Sequence, residues 1–321
     1  MKFRNIVLII SLFTGLLVVK AQGVDSTKLK PVIPDSLKLW KKGGLVSMNF
    51  SQVSLTNWAA GGQSSLSTTA FVNVFSNYKK KNIRWDNTLD LGYGFLRSNG
   101  NPFQKNEDKI ELSSKFGRRI TKRFFSAALL NFKSQFAPGY NYPNDSTVIS
   151  NFMAPGYLIL STGIDYKPNK YLSFYASPVT GKITIVGNQD LVDKGAYGVD
   201  AAIYDTNGIL MVHGKKARKE FGSYLTFKYK REIFKNVILS SKLDLFSDYL
   251  HHPENIDVNW DILFSMKVNK YLSTSISTNL IYDNDIQVPL YTEVNHVKTQ
   301  IGKGPRTQFK EVLAVGLSYK F

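Results

Sequence analysis

The side chains able to do chemistry are few, and the densest group of them lies between Asp248 and Asp257. This segment (DYLHHPENID) holds two imidazoles, His251 and His252, and three carboxylates. Imidazole and carboxylate groups are common ligands of divalent metals. Adjacent histidines rarely bind one ion together, however, and a polar loop needs no metal to explain its composition. We therefore predict no metal site and no cofactor.

Sequence motifs that mark common enzyme active sites are missing. The chain contains no GxGxxG, GxSxG or HExxH motif and no cysteine, which also removes thiolate nucleophiles and thiolate metal sites. The four histidines are His213, His251, His252 and His296. We assign all four to connections between strands, so a hydrolase with a Ser–His pair at a membrane rim is only a remote alternative. We predict a protein that is not an enzyme, without catalytic residues.

A second set of reactive groups alternates with apolar residues along the chain. Successive side chains of a strand point to opposite faces, so charges of one parity share one face. If the strands close into a β-barrel, this polar face lines the central lumen. The predicted lumen-lining charges are Arg84, Asp86, Asp90, Lys109, Glu111, Lys115, Lys133, Lys228, Lys230, Lys242, Asp244, Asp261 and Lys267. Their signs are mixed, which leaves both mutual ion pairing and a selective ion pathway open.

The two-residue period that positions these charges returns twelve times. Each predicted strand is close to or above the roughly 9–11 residues that cross a bilayer at a tilt. The predicted strands span residues 44–56, 64–78, 84–96, 108–117, 124–135, 157–167, 171–179, 221–233, 237–248, 257–268, 271–282 and 311–321. After residue 22 no apolar run approaches the length of a membrane helix, so strands must form any membrane span.

The connections between these strands alternate in length. Short ones cover residues 79–83, 118–123, 168–170, 234–236 and 269–270, and long ones cover 57–63, 97–107, 136–156, 180–220, 249–256 and 283–310. Outer-membrane barrels have short periplasmic turns and longer extracellular loops. A soluble β-sandwich explains the alternating residues but not this order of connections. We predict an all-β fold over residues 44–321: a transmembrane antiparallel up-and-down β-barrel of 12 strands, with 10 or 14 as alternatives.

The N-terminus predicts export. Lys2 and Arg4 precede an apolar run, and Val19-Lys20-Ala21 suits signal-peptidase cleavage after Ala21. We therefore read residues 1–21 as a signal peptide and residues 22–43 as a periplasmic lead-in. The predicted location is the outer membrane of a Gram-negative cell.

The basic composition indicates an anionic partner. The formal net charge is +17, and an excess of this size attracts anions. Nucleic acid is a poor candidate for an exported chain without a recognition helix. Outer-membrane lipid, and the phosphates of lipopolysaccharide in particular, are the predicted partners of basic loop segments such as 215–219.

One long connection is unusually aromatic. Between residues 136 and 157 an A-P-G-Y core occurs twice. The aromatic residues of this predicted extracellular loop are Phe136, Tyr140, Tyr142, Phe152 and Tyr157. A cap or inward constriction, a docking surface for glycan or a protein partner, and a loop packed on itself are all consistent with this composition.

The last predicted strand ends in an alternating aromatic pattern. From Leu313 to Phe321, apolar side chains share one parity while Ala314, Gly316 and Lys320 take the other. This pattern resembles the C-terminal signal that the barrel-insertion machinery reads, so we expect that machinery as a partner. We also expect the strand to pair with residues 44–56 and close the sheet.

Several motifs resemble those of an uncharacterised Bacteroidota family of outer-membrane β-barrels, known as a domain of unknown function. They are NWAAGG at 57–62, WDNTLDLGYG at 85–94 and SNFMAPGY at 150–157. The resemblance implies the fold and the location but no activity. In the first of them, Asn57, Trp58, Gly61 and Gly62 suit a tight hairpin turn with an interfacial tryptophan, and ligand recognition is the alternative.

These observations favour a channel for small solutes. The alternative is a structural or accessory scaffold subunit of an envelope assembly or secretion complex, with the long loops as docking surfaces. The two differ in whether water passes through the lumen, which the sequence alone does not decide.

Overall fold

The computed structural model describes residues 39–54, 64–98, 101–142, 144–294 and 297–321. The predicted signal peptide, most of the lead-in, and the hairpin motif of Asn57, Trp58, Gly61 and Gly62 lie outside the described residues, as does His296.

The described chain forms a closed antiparallel barrel of twelve strands in which each strand pairs with its neighbours in sequence. The strands are β1 (Trp40–Val53), β2 (Ser65–Lys80), β3 (Ile83–Ser98), β4 (Gln104–Arg119), β5 (Phe124–Ser134), β6 (Gly156–Tyr166), β7 (Leu172–Ile185), β8 (Ala217–Phe234), β9 (Val237–Asp248), β10 (Ile256–Lys267), β11 (Leu272–Tyr282) and β12 (Gln308–Lys320). The predicted fold and the count of twelve are confirmed. Strand β1 begins at Trp40, a few residues before the predicted start.

The barrel closes between β1 and β12. The register runs from Leu45 opposite Lys320 to Asn49 opposite Gly316, and the Phe321 amide donates a 3.1 Å hydrogen bond to the Gly44 carbonyl. Closure leaves no free sheet edge, which is the condition for a β-sheet to stand in lipid. Two further extended segments do not add strands to the barrel. Residues 182–185 lengthen β7, and Val288–Val294 pairs with Val297–Gly304 outside the barrel sheet.

The two parities of each strand have different surroundings. On β12, Leu313 and Leu317 are 70% and 58% exposed, whereas Ala314 and Gly316 between them are buried. On β5 the order is the same, with Phe125 buried and Phe124 exposed. A continuous apolar exterior of this extent is unstable in water and stable in a bilayer. The protein is therefore a transmembrane barrel whose buried parity faces the lumen.

Aromatic side chains gather at the end of the barrel where the connections are short, which we call the turn end. Trp40 lies 5.1 Å from Tyr78 and 5.9 Å from Trp85 between ring centroids. Phe124 stacks on Tyr166 at 4.7 Å. Aromatic girdles of this kind sit at the interface between hydrocarbon and headgroups.

The opposite end, the loop end, carries a folded cap. We define the cap as residues 135–155 and 186–216. A buried cluster joins the two segments and consists of Ala154, Val186, Leu191, Val192 and Val199. The short helix α1 (Gln189–Asp193) begins at Asn188, whose side chain accepts a hydrogen bond from the Leu191 amide. The hydroxyl of Tyr197 donates to the Ile149 carbonyl at 2.6 Å. The aromatic segment is thus part of an ordered cap.

No helix among the described residues is long and apolar enough to cross a membrane.

Candidate functional site: the barrel lumen

The register of adjacent strands places the predicted lumen charges on the inward parity. Asp86 lies opposite Lys115, Glu111 opposite Lys133, and Lys242 opposite Asp261. Opposite charges on neighbouring strands can therefore pair inside the barrel. Three of the predicted lysines, Lys228, Lys230 and Lys267, make no ion pair among the residues that the structure describes.

One side of the lumen is filled by side chains. A cluster from β5, β7, β8 and β9 projects inward and consists of Ala127, Leu129, Tyr175, Tyr224 and Phe246, all at most 8% exposed. Ile159 of β6 packs against it. Close packing of this kind leaves no continuous path for a solute on this side of the lumen. We call the wall from β4 to β9 the packed half.

The other side of the lumen carries small polar side chains on several strands, interrupted on β2 by the inward-facing Phe71 and Phe75. On the inward parity of β11, β12, β1 and β2, these polar residues are only partly buried. They are Ser273, Ser275, Ser277, Asn279, Ser318, Ser47, Asn49 and Asn73. Because their side chains point inward, their exposed surface faces the lumen. We call this wall, from β10 through β12 to β3, the open half.

One carboxylate in the middle of the lumen forms ion pairs with three lysines. Glu111 is 5% exposed and accepts contacts from Lys109 at 2.9 Å, Lys242 at 3.0 Å and Lys133 at 3.9 Å. Asn131 adds a hydrogen bond of 3.2 Å. Strands β4 and β9 are not neighbours in the sheet, so the bridge from Glu111 to Lys242 crosses the interior. It narrows the lumen at mid-height.

A second network lies nearer the turn end. Asp165 pairs with Lys115 at 2.8 Å and with Lys167 at 3.3 Å, and Lys167 also reaches Asp86 at 3.2 Å. Arg84 lies over the Phe125 ring at 4.7 Å from its centroid, a cation–π contact. Cations thus predominate around this part of the lumen.

A third network lies toward the loop end and contains residues that the sequence analysis did not single out. Lys182 contacts Asp257 at 2.6 Å, Glu220 at 3.2 Å and Asp283 at 3.6 Å. Arg218 pairs with Asp285. The sequence predicts a connection over residues 180–220, and this prediction does not reveal the inward parity of Lys182 and Glu220. The polar Lys182 and Thr184 alternate with the apolar Ile183 and Ile185. This alternation is the signal that indicates a strand with an inward polar face here.

Two predicted acids are held by amides instead of cations. Asn73 donates to Asp90 at 2.5 Å, and Asn279 donates to Asp261 at 2.7 Å. Both asparagines belong to the open half, whose wall combines these amides with charged side chains at its two borders, on β3 and β10.

The aromatic residues of the 136–157 segment do not form one cluster. Phe136 makes an edge contact with Tyr93 at 6.4 Å, and Tyr140 makes one with Tyr142 at 6.1 Å. Phe152 is 56% exposed at the surface of the cap. Tyr157 lies on β6, where it faces the lumen opposite Lys133.

The three described histidines bind different carboxylates. His213 Nδ1 lies 2.9 Å from Asp193, His251 Nδ1 lies 3.1 Å from Asp248, and His252 Nδ1 lies 3.1 Å from Glu254. Within the described ranges, no three His, Asp or Glu residues are arranged to hold a metal ion.

Asp193 joins the two ends of the long cap segment. It accepts hydrogen bonds from Gln189 at 2.8 Å and from the Gly214 amide at 2.9 Å. These bonds, with that of Gln189 the strongest, and the adjacent His213 lower the pKa of Asp193 below its ordinary value.

The comparisons with known proteins give one partial family match and several distant structural similarities. Residues 50–140 match the family described as "Protein of unknown function (DUF3078)", which is less than half of the chain. No curated protein matches it. Among solved structures, an outer-membrane channel of Pseudomonas putida F1 is 11% identical with a TM-score of 0.40, over 90% of this chain and 100% of that one.

Two further barrels are similar at the same low level. The NanC porin is 8% identical with a TM-score of 0.36, over 87% of this chain and 100% of that one. The translocator domain of the autotransporter NalP from Neisseria meningitidis is 9% identical with a TM-score of 0.35, over 87% of each chain. Similarity this low carries no functional inference, so function has to be argued from the lumen itself.

Proposed function

We propose that this protein is an outer-membrane channel for small polar solutes. The observation that carries the proposal is the asymmetry of the lumen. One half is filled by side chains, whereas the other presents partly exposed serine and asparagine side chains along several adjacent strands. Hydroxyl and amide groups can replace the hydration of a small polar solute as it passes.

The path runs along the open half beside the Glu111–Lys242 bridge. A lumen of twelve strands lies between the filled barrels of eight strands and the water-filled porins of sixteen or more. The packed half reduces that bore further. We therefore expect passage of ions and of solutes with only a few heavy atoms.

The location belongs to the same proposal. A closed barrel with an apolar exterior and an aromatic girdle is built for the outer membrane, and we propose that the chain arrives there after cleavage behind Ala21. Fractionation of cells, with mass spectrometry of the mature N-terminus, tests both points. A mature protein that begins at Gln22 in the outer-membrane fraction is the expected result.

Conductance of the purified barrel in planar bilayers tests channel function. We expect discrete steps for the wild type, and a several-fold smaller step for Ser275→Trp, because Ser275 points into the open half. The matched control is Thr274→Trp, which adds the same bulk to the lipid-facing parity of the same strand. A wild-type protein that inserts but never conducts would rule the channel out.

A scaffold role is the second candidate, and one observation favours it. The hairpin of residues 203–212 projects from the cap with exposed apolar side chains, among them Ile203, Ile209 and Met211 at 61%, 63% and 66% exposure. Exposed apolar patches often mark protein interfaces. Purification in mild detergent would recover stoichiometric partners if the barrel were a subunit, and Met211→Asp would then release them.

A further inference from the structure

Lys228 stands apart from the other lysines in the middle of the lumen. It projects inward from β8, opposite Lys242 of β9 and Ser173 of β7. Its neighbours are compensated, since Lys242 contacts Glu111 and Asp244, each at 3.0 Å, and Lys115 contacts Asp165. For Lys228 the described part of the chain offers no carboxylate within ion-pair distance.

Lys228 is one of the residues that line a small cavity in the surface of the packed half. Three lysines line this cavity, together with residues that carry hydroxyl and amide groups. The polar lining residues are Lys115, Lys228, Lys242, Ser113, Asn131 and Thr226. Its free space is about that of one water molecule, and it is partly open to the lumen. We call it the lysine cavity.

The charge balance of the lysine cavity calls for an anion. The acids that compensate Lys115 and Lys242 are not among the residues that line the cavity. Lys115 and Lys242 are paired with carboxylates, so Lys228 is the lysine of the cavity that no described carboxylate contacts. A charge removed from bulk water is costly unless an opposite charge accompanies it. A mobile counterion supplies that charge.

The neighbouring Glu111 carboxylate shows that the lysines of this lumen can surround an anion. The Glu111 carboxylate lies between Lys109 at 2.9 Å and Lys242 at 3.0 Å, with the Asn131 amide at 3.2 Å. An anion in the lysine cavity would be bound by the Lys228 ammonium group and the Ser113 hydroxyl. The Asn131 amide and the Thr226 hydroxyl already donate to Glu111 and Asp244.

We infer that the lysine cavity is a binding site for a small inorganic anion of the size of chloride. The inference goes beyond the channel proposal and rests on it for one consequence only: an anion held beside the open half gives the channel a preference for anions over cations. Occupancy of the site itself does not depend on conduction.

Bromide, which is chloride-like and scatters anomalously, tests occupancy. Crystals grown in sodium bromide should show an anomalous peak between Lys115, Lys228 and Lys242. The peak should disappear in Lys228→Met and return in Lys228→Arg, which restores the charge. Lys219→Met removes a lysine from the opposite parity of the same strand and should keep the peak. Wild-type crystals without the peak, or a peak that persists in Lys228→Met, would overturn the inference.

A measurement of ion selectivity tests the anion site separately from the channel proposal. Under a tenfold gradient of potassium chloride, the wild-type reversal potential should lie toward that of chloride. Lys228→Gln should lower the chloride-to-potassium permeability ratio at least twofold, and Lys219→Gln should leave it unchanged. A barrel that binds bromide but does not conduct would refute the channel and leave the site standing. A conducting barrel without bromide would refute the site and leave the channel.

Discussion

Glu111 shows how a single buried carboxylate organises a basic lumen. Lys109, Lys133 and Lys242 come from three different strands, and the contacts of all three converge on its two oxygens. Without that carboxylate, the three ammonium groups would lie close together with fewer acids to balance them. Removing one partner of a buried ion pair costs much more than removing an exposed charge, because the remaining charges stay desolvated.

We therefore expect Glu111→Gln to destabilise the barrel by about 3–5 kcal/mol. Guanidinium unfolding of the barrel in lipid vesicles measures this change. The control is Glu232→Gln. Glu232 shares the inward parity but lies exposed at the turn end, where it only accepts a hydrogen bond from the Asn236 amide. Equal losses for the two variants would show that Glu111 does not organise the cluster.

Asp193 gives a residue-scale prediction about pH. Its pKa is lowered in the folded protein by hydrogen bonds from Gln189 and Gly214 and by adjacent His213. A lowered folded-state pKa means that the stabilisation is present above the ordinary value of 3.8 and is lost as the pH falls below it.

The cap should therefore loosen around Gly214 only under acidic conditions. Nuclear magnetic resonance of the Gly214 amide during an acid titration measures this, and the shift should begin below pH 3.8. In Asp193→Asn the acid-dependent step should be absent. A step at the same pH in that variant would assign the transition to another group.

At the scale of elements, the seam between β1 and β12 depends on close backbone approach. A side chain added at Gly316 would collide with the backbone carbonyl of Met48 on the facing strand. Gly316 therefore allows the pairing that closes the sheet, a role that its place in an alternating pattern does not reveal.

Gly316→Val should prevent closure. In gel electrophoresis without heating, the wild type should migrate as a compact folded band, and this variant should migrate as unfolded chain. Ser318→Val adds similar bulk on the same parity of β12, at a partly exposed position, and should keep the folded band. Folding of Gly316→Val would show that the seam tolerates a side chain there.

The strands were predictable because one physical contrast, lipid against lumen, repeats at every second residue. Leu313, Val315 and Leu317 on β12 show this contrast at full strength. The contact from Glu111 to Lys242 was not predictable in the same way. It joins residues that are 131 positions apart in the sequence on strands that are not neighbours, so it depends on the cross-section of the closed barrel. The strand over residues 172–185 is longer than the predicted 171–179, because residues 180–185 continue it.

At the scale of the whole molecule, the two halves of the lumen have different structural roles. The packed half supplies an interior core, and the open half leaves the space beside it. Phe246 belongs to the core, is 4% exposed, and lies under the Lys182 ammonium at 4.9 Å from its ring centroid.

Phe246→Ala should therefore widen the path and weaken the barrel together. The expected loss of stability is about 3–5 kcal/mol, the usual cost of truncating a buried aromatic side chain, and single-channel conductance should rise. Unfolding in vesicles and bilayer recordings measure the two effects. Leu225→Ala on the lipid-facing parity of β8, where the side chain is 48% exposed, should leave conductance unchanged. A stable Phe246→Ala barrel with unaltered conductance would show that the core does not limit the bore.

The packed half of the lumen also makes the width of the bore adjustable by mutation. Its bore is set by side chains on one wall, so graded truncation of Tyr175, Tyr224 and Phe246 can enlarge the aperture while the opposite wall stays intact. A detector for single analytes needs a fixed surface to contact the analyte and an independent way to set the aperture. In this protein the two requirements fall on different strands, so each can be engineered without disturbing the other.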